Sequence, residues 1–482
     1  MRVTNMHLLL NQTNIEIVDP AADTTLLNWL RETQYLTATK EGCAVGDCGA
    51  CTVIVGQLIQ GQIAYRSVNA CIALLGSLHA CHIITLDALQ GPELHPVQQA
   101  MVDFHSSQCG FCSPGFVMSL IVWWLNTPAN SLATPEDFAN HRHGVELALS
   151  GNLCRCTGYH PILLAADHLA PMDRATDPLF NQLGGLDRCH VQLKNMALAG
   201  QQIPNSAYTT PLNLAALALA YEASPNAKLV AGSTDLALDI TQGLQSFKCL
   251  IDVTGVEELR VIDERDKKLH IGAGVSLSEV EFFCQTKLPQ MSDLLASFAS
   301  RQVRNRATLV GNIANSSPIA DIPPLLLVMG AKLVLQQGLK QRTIALKGFN
   351  LGYKQTALAV GEFIHSVILP LPSNGQRVWI EKVSKRTEDD ISATCVAMSL
   401  TLDHDTIVQI DIACGGMAAT PKMANMSQSQ LLGQTLTPQL IAQVPVWLAQ
   451  DYQPIDDMRA SAAYRQQVTS NIVTGFLRAA IV

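Results

Sequence analysis

The sequence of 482 residues predicts a multidomain α+β protein, and three observations carry that prediction. The length suits three or four domains. The pattern changes along the chain: short strands to about residue 85, helical periodicity to about residue 170, then apolar strands alternating with helices from Pro204. Eight cysteines fall in two sets of four, one in the strand-rich segment and one in the helical segment.

Composition narrows the class. Hydrophobic residues make up 48% of the chain and charged residues 15%, enough apolar material for several cores. The net charge of −8 argues against nucleic acid or an anionic membrane surface as partner. The opening MRVTNMHLLLNQ has no secretory pattern. The apolar run near Gly115–Leu125 falls short of the roughly 20 residues that span a bilayer. A cytoplasmic location is expected, where clustered thiols among the fourteen cysteines mean metal or redox chemistry rather than a disulfide framework.

The elements follow in order. Met6–Leu10 and Ile15–Val18 flank a polar turn and read as a hairpin. Thr24 is placed to cap a helix through Arg31. The glycine-rich loop Gly42–Gly49 precedes a second hairpin, Thr52–Val55 with Gln62–Arg66. Pro96–His105, Gly115–Asn126, Thr134–His143 and Pro161–Leu169 read as four helices, with Thr134 as the cap of the third. Residues 171–203 lack periodicity and read as a linker. After about residue 372, strand-like Val378–Val383 and Ala393–Leu402 lead to a helical, polar C-terminal stretch.

The first cysteine set is Cys43-x4-Cys48-x2-Cys51 followed by Cys71, the plant-type spacing of a 2Fe–2S cluster. Gly42, Gly46 and Gly49 let backbone N–H groups approach sulfur closely. A zinc site favours two C-x2–4-C halves instead. The second set, Cys109-x2-Cys112 with Cys154-x-Cys156, suits a 2Fe–2S cluster or zinc. The remaining Cys81, Cys189, Cys249, Cys284, Cys395 and Cys414 lie in apolar or unpatterned contexts and read as structural.

Two other segments carry candidate chemistry. In Lys228–Leu236, KLVAGSTDL, a strand turns sharply at Gly232, a geometry that can cradle a pyrophosphate with backbone N–H groups. In Arg304–Pro324, a polar run of Gly311, Asn312, Asn315, Ser316 and Ser317 interrupts apolar sequence. No GxGxxG follows a strand, so a Rossmann nicotinamide site is not supported. His141-Arg142-His143 reads as a solvated basic turn, and Lys382–Arg386 as a surface strand.

Taken together, GCAVGDCGACTV, QCGFCSPG, GNLCRCTGY, LVAGSTDL, TLVGNIANSSPIAD and KVSKRTEDDISA make the chain resemble one group in the molybdenum hydroxylase family. That group is the small, iron–sulfur and flavin subunit of bacterial two-subunit xanthine dehydrogenases. The resemblance implies a β-grasp 2Fe–2S ferredoxin domain (1–85) and a four-helix 2Fe–2S domain (86–170). A linker (171–203), a vanillyl-alcohol-oxidase-like FAD domain (204–372) and an α/β C-terminal flavoprotein domain (373–482) follow. It implies Cys43, Cys48, Cys51 and Cys71 on one cluster, and Cys109, Cys112, Cys154 and Cys156 on the other, with Gln108 toward the pterin.

For FAD the resemblance implies Lys228, Leu229, Val230, Ala231, Gly232, Ser233, Thr234, Asp235 and Leu236 around the pyrophosphate. It adds Phe298 at the flavin ring, Thr308, Gly311, Asn312, Asn315 and Asp321 on the cofactor, and Ile364 and Lys382 at its ends. No residue of this chain is assigned a catalytic role. The implied activity passes electrons from molybdopterin on a partner large subunit, in a heterotetramer, through two clusters to FAD and NAD during hydroxylation of xanthine or hypoxanthine. An aldehyde or N-heterocycle hydroxylase is the alternative, and a zinc-stabilised interaction protein the alternative of another class. The chain departs from the family at Val310 before Gly311-Asn312, at Arg306, at Val45 and around His141–Gly144; none of these removes a metal ligand.

Overall fold

The computed structural model describes residues 5–127, 135–169, 177–199, 207–387 and 389–481. The expected cap Thr134, the ends of the expected linker and its boundary at Pro204 lie outside the described residues. The chain divides into two compact units. The first comprises residues up to Leu212 with Ala227–Asp252 and Ser300–Ala307; the second comprises Asn213–Asn226, Val253–Ala299 and the chain from Thr308.

The first unit opens with a hairpin. Strand β1 (Asn5–Leu10) pairs antiparallel with β2 (Thr13–Val18), Leu10 facing Thr13. Only Asn11 and Gln12 turn the chain, with Asn11 at φ 51°. Strands β3 (Thr52–Ile59) and β4 (Gln62–Asn69) close around Gln60-Gly61 at φ 49° and 80°, the two positive φ values a type I′ hairpin requires. Strand β5 (His82–Ile84) runs parallel to β1 and antiparallel to β3, giving the order β2-β1-β5-β3-β4. The helix beside the sheet starts one residue later than expected. Thr25 accepts from Asn28 N–H at 3.2 Å, and the helix loosens to a π turn over Trp29–Thr33.

Four helices follow, Pro96–Asp103, Ser113–Asn126, Pro135–Leu149 and His160–His168. Ser113–Asn126 is apolar around its circumference and is buried almost throughout, as a central core helix must be. Phe116, Leu120 and Ile121 share a core with Val145, Ile162 and Ala165. Within the segment read as a linker, Pro178–Gln182 and Leu186–Ala199 are helical. They add Leu179, Phe180, Cys189 and Leu193 to that core, with Leu183 just beyond the first; a period obscured by glycine and proline still buried an apolar face. Asp177 caps the first of these helices at 2.7 Å and lies 3.3 Å from His95. A small parallel sheet completes the unit, in the order Tyr208–Thr209, Leu250–Asp252, Lys228–Val230.

The second unit holds two larger sheets. Lys340–Ala345, Lys332–Gln337, Glu362–Pro370, Lys268–Gly272 and Ile262–Arg265 form an antiparallel sheet in that order. Arg377–Val383, Thr394–Asp403, Thr406–Gly415 and Lys422–Met423 form the other. Val473 and Leu477 of the helix Ala462–Ala480 share a core with Val396, Met398 and Ile412. On the same helix Arg465, 1% exposed, donates to the carbonyls of Ala393 and Gly416 and pairs with Asp457 at 2.7 Å.

Asp457 makes the fold acid-sensitive. Burial raises the Asp457 carboxyl, but the N–H groups of Ala460 and Arg459 and the Arg465 side chain outweigh it and hold the group at about 2, against 3.8 unfolded. A depressed folded value means the contribution is present above 3.8 and is lost as pH falls toward 2. Asp457→Asn is expected to lose this component: its denaturant midpoint should change less than the wild type's across that window.

Candidate cofactor sites

The first thiol set is built on the loop Gly42–Gly49, which enters β3. Ala44, Gly46 and Gly49 all adopt positive φ, at 56°, 81° and 67°. A Cβ on Gly42 would lie 2.7 Å from Cys48 Sγ, so this glycine admits the sulfur. Cys43 Sγ accepts from the N–H groups of Val45, Asp47 and Cys48 at 3.5, 3.3 and 3.3 Å. Hydrogen bonds from the Cys48 and Cys71 thiols, then backbone N–H groups, hold Cys43 far below the usual thiol value despite burial. Cys51 and Cys71 are buried with their sulfurs 3.3 Å apart.

The second set lies at two helix entrances. Cys112 is the residue before Ser113–Asn126, and Cys154 and Cys156 precede His160–His168. Cys154 Sγ accepts from the Thr157 hydroxyl at 3.1 Å and its N–H at 3.4 Å. Burial raises the Cys154 thiol, yet these donors bring it below its ordinary value, while burial pushes Cys112 up to about 12. Cys109 and Cys156 are exposed, with sulfurs 3.7 Å apart. Two sulfurs on one tetrahedral metal ion sit roughly 3.8 Å apart, given bonds of about 2.3 Å. The two thiol pairs approach that spacing. In the first set the thiols are linked one to the next, Cys48 and Cys71 to Cys43 and Cys51 to Cys71.

The two loops also touch. Leu153 N–H donates to Cys48 C=O at 3.0 Å, and Asn152 Nδ2 to Gly49 C=O at 3.2 Å. Gln302 Nε2 holds Asn152 from behind through Oδ1 at 2.9 Å and reaches Ser119 Oγ at 3.1 Å. A side chain on Gly115 would overlap the Gly49 carbonyl.

The expected flavin residues are divided between the units. Lys228–Leu236 lies in the first: Lys228, Leu229 and Val230 form the strand, Ala231, Gly232, Ser233, Thr234 and Asp235 the turn, and Leu236 begins a helix. Gly232 has φ 95°, and a Cβ there would overlap the Arg306 carbonyl. The others lie in the second unit. Thr308 caps the helix Leu309–Ala314, which carries Gly311 and Asn312 and ends at Asn315, by accepting from Gly311 N–H at 2.9 Å. Asn312 Oδ1 is buried without a hydrogen-bond partner, an acceptor left for a donor such as a ligand hydroxyl. Ile364 is buried in its sheet. Phe298, Asp321 and Lys382 come together: Lys382 Nζ lies 3.1 Å from Asp321, donates to Ser297 C=O at 2.8 Å and sits 5.9 Å from the Phe298 ring centre.

Two sequence readings need correction. Lys382 is no surface cation; its side chain is 5% exposed in a buried ion pair. His141 is not in a solvated turn but inside the helix Pro135–Leu149, 6% exposed and edge-on to Trp123 at 4.7 Å. Its apolar neighbours outweigh the polar look of the tripeptide, while His143 is exposed. Thr157 and Ser392 were not singled out; Ser392 donates to Asp321 Oδ1 at 2.5 Å. Thr157, directly after the cysteine pair, was the readable signal. Of the six other cysteines, Cys249 is half-buried and the rest are buried.

Four known families match successive parts of the chain. A 2Fe-2S iron-sulfur cluster binding domain matches residues 8–75 and a 2Fe-2S binding domain matches 85–167. The FAD binding domain in molybdopterin dehydrogenase matches 202–372, and the CO dehydrogenase flavoprotein C-terminal domain matches 380–480. The chain belongs to the molybdenum hydroxylase family. It is similar to xanthine dehydrogenase of Drosophila subobscura, 30% identical over 499 residues, covering 90% of this chain and 36% of that protein. It is also similar to xanthine dehydrogenase of Oryza sativa, at 31% over 86% of this chain and 35% of that one. The chain thus spans about a third of the length of these curated relatives. Among solved structures, carbon monoxide dehydrogenase of Hydrogenophaga pseudoflava matches with TM-score 0.53 and 27% identity, over 56% of this chain and 94% of that chain. Quinoline 2-oxidoreductase of Pseudomonas putida 86 shares the fold at TM-score 0.52 and 23% identity, over 57% and 98%. This molybdenum hydroxylase chain is an electron-transfer component carrying two 2Fe–2S domains and an FAD-binding domain.

The buried pair yields a stability test. Burial pushes the Asp321 carboxyl up, and Lys382 and Ser392 pull it back part of the way. Lys382→Ala strands that carboxylate and is expected to cost about 3–5 kcal/mol. The double variant Lys382→Met with Asp321→Leu should recover most of it in urea unfolding.

Proposed function

We propose that this chain takes electrons from a molybdopterin centre on a partner large subunit and delivers them to NAD, during hydroxylation of xanthine or hypoxanthine in the cytoplasm. The observation that carries the reading is the main-chain hydrogen bond from Leu153 to Cys48, which sets two four-thiol loops back to back in one unit. Cys43, Cys48, Cys51 and Cys71 would hold one 2Fe–2S cluster, and Cys109, Cys112, Cys154 and Cys156 the other. The exposed Cys109 and Cys156 suit the side that faces the partner's electrons, with Gln108 beside them. The buried Cys51 and Cys71 suit the inner side.

Lys228–Leu236 of the first unit and, in the second, the residues named around Phe298, Asn312 and Asp321 are those we read as FAD-binding; FAD would supply the exchange between single electrons and a hydride. The Lys382–Asp321 pair would present FAD with a dipole rather than a bare cation. Among the described residues no helix is long and apolar enough to cross a membrane. A heterotetramer with the large subunit is the assembly we assign. The solved neighbours that act on carbon monoxide and quinoline favour a second reading, the same role in an aldehyde or N-heterocycle hydroxylase. The partner subunit would decide between them.

About four iron atoms per chain are expected from the eight thiols, with one FAD. Iron analysis giving half that, or zinc in its place, would contradict the second cluster. In the complex with its molybdopterin subunit, Cys109→Ser is expected to abolish xanthine-dependent NAD reduction while NADH oxidation by an artificial dye continues at the wild-type rate. Equal loss of both, with FAD still bound, would overturn the electron order; dye activity without any xanthine turnover by the wild type would favour the second reading.

A further inference from the structure

Within the first unit, the turn expected to hold the FAD pyrophosphate is tied to the main chain beside two cysteines of the plant-type set. Ser233 Oγ, 4% exposed with its residue, lies 2.7 Å from Ile72 C=O. Ile72 directly follows Cys71. The same hydroxyl lies 2.6 Å from Gly232 C=O, so its one proton serves either the turn itself or the cysteine segment. Thr241 Oγ1, at the other end of the helix that the turn begins, donates to Ala44 C=O at 2.7 Å. Ala44 directly follows Cys43.

Packing reinforces both ties. Ala237, fully buried on the helix between them, belongs to the same apolar cluster as Cys51, Cys71 and Ile72. Ile72 in turn covers Gly46 of the cysteine loop, where a Cβ would overlap its Cδ1. Backbone geometry leaves the turn little freedom. Gly232 and Ser233 both adopt positive φ, at 95° and 66°. For serine that conformation is uncommon and persists only where the surroundings enforce it. Arg306 supplies one such constraint: Nε donates to Gly232 C=O at 3.1 Å and a terminal nitrogen to Ser77 Oγ at 2.8 Å. The turn therefore cannot shift to receive a ligand without pulling on the carbonyls next to Cys43 and Cys71.

We infer that Ser233 and Thr241 are positioning residues that couple occupancy of the flavin turn to the redox state of the plant-type cluster. The inference rests on reading Lys228–Leu236 as an FAD loop and Cys43, Cys48, Cys51 and Cys71 as cluster ligands. Coupling of this kind is reciprocal: if FAD binding changes the cluster, cluster reduction changes FAD affinity by the same factor.

The experiment titrates FAD, or in its place 5-deaza-FAD, which does not take single electrons from the clusters, into FAD-depleted full-length protein with the clusters oxidised and then reduced. The deaza form supplies the affinities and the paramagnetic resonance signal of the reduced plant-type cluster. Wild type is expected to show a ratio of the two FAD affinities of roughly fivefold or more, and a cluster signal that shifts when FAD binds. In the variant combining Ser233→Ala with Thr241→Val, the ratio should fall to about one, the uncoupled limit, with the signal shift lost. Thr241→Ser, which keeps a hydroxyl, should restore part of both when Ser233 is intact. Unchanged coupling in the double variant overturns the inference, as does a wild type with no coupling. Failure of the underlying reading looks different: FAD would not bind, or Gly232→Ala would bind it as tightly as wild type. Should the double variant not fold, Thr241→Val alone decides by the same ratio.

Discussion

The arrangement of the first unit depends on a single main-chain contact, the hydrogen bond from Leu153 N–H to Cys48 C=O. Each partner adjoins or is itself a cysteine of a different set, so the bond sets the spacing between the two thiol loops. It survives because everything around it is either absent or buried. Gly115 offers no side chain where the Gly49 carbonyl arrives. Asn152, 2% exposed, spends its amide on Gly49 and its oxygen on Ser119 and Gln302. A buried polar network of this sort is costly when incomplete and rigid when satisfied. Rigidity is the useful property for a carrier of single electrons, whose sites must stay at one distance.

Electrostatics follows the same economy in both units. Thiolate character is favoured by donors placed at the sulfurs, the backbone N–H groups at Cys43 and the Thr157 hydroxyl at Cys154. In the second unit, charge is neutralised where it is buried. Lys382 and Asp321 are each 5% exposed and satisfy one another, with Ser297 and Ser392 taking up remaining hydrogen-bonding capacity. Buried pairs of this kind contribute little net stability but are expensive to break. Their presence beside Phe298 marks a position where the fold holds a polar group against its preference for apolar packing.

Much of this was legible in the sequence because certain patterns have one physical meaning. The Cys43-x4-Cys48-x2-Cys51 spacing named the loop, and its glycines appear at the positive φ values such a loop needs. The hairpins and the four helices of the thiol-bearing segments followed from period and punctuation. Three things were not legible. The helices at Pro178–Gln182 and Leu186–Ala199 were hidden because their apolar faces are short and flanked by Gly184 and Gly185. Lys382 looked solvated because its partner Asp321 is 61 residues away in sequence, and pairing across that separation leaves no local trace. His141 looked polar because a tripeptide says nothing about Trp123, which meets it from another helix.

The contacts that join the loops explain why sequence alone could not find them. Cys48, Ala44 and Ile72 all contribute their carbonyl oxygens, groups that every residue carries. The acceptor side of each contact is therefore invisible in a residue string. Of the donors, the backbone N–H at Leu153 is equally anonymous, and only the hydroxyls of Ser233 and Thr241 belong to side chains. A serine in a turn ordinarily bonds to its own backbone, and Ser233 does approach Gly232 C=O. What distinguishes it is the second carbonyl, Ile72, supplied by a segment 161 residues earlier. Spacing held this way tolerates substitution of the side chains at its acceptor positions, since the main chain keeps its oxygens whatever the side chain. It does not tolerate a change in backbone path, which is why the demand falls on Gly46, Gly49, Gly115 and Gly232. There a Cβ would meet the Ile72 side chain at Gly46 and the carbonyls of Gly151, Gly49 and Arg306 at Gly49, Gly115 and Gly232.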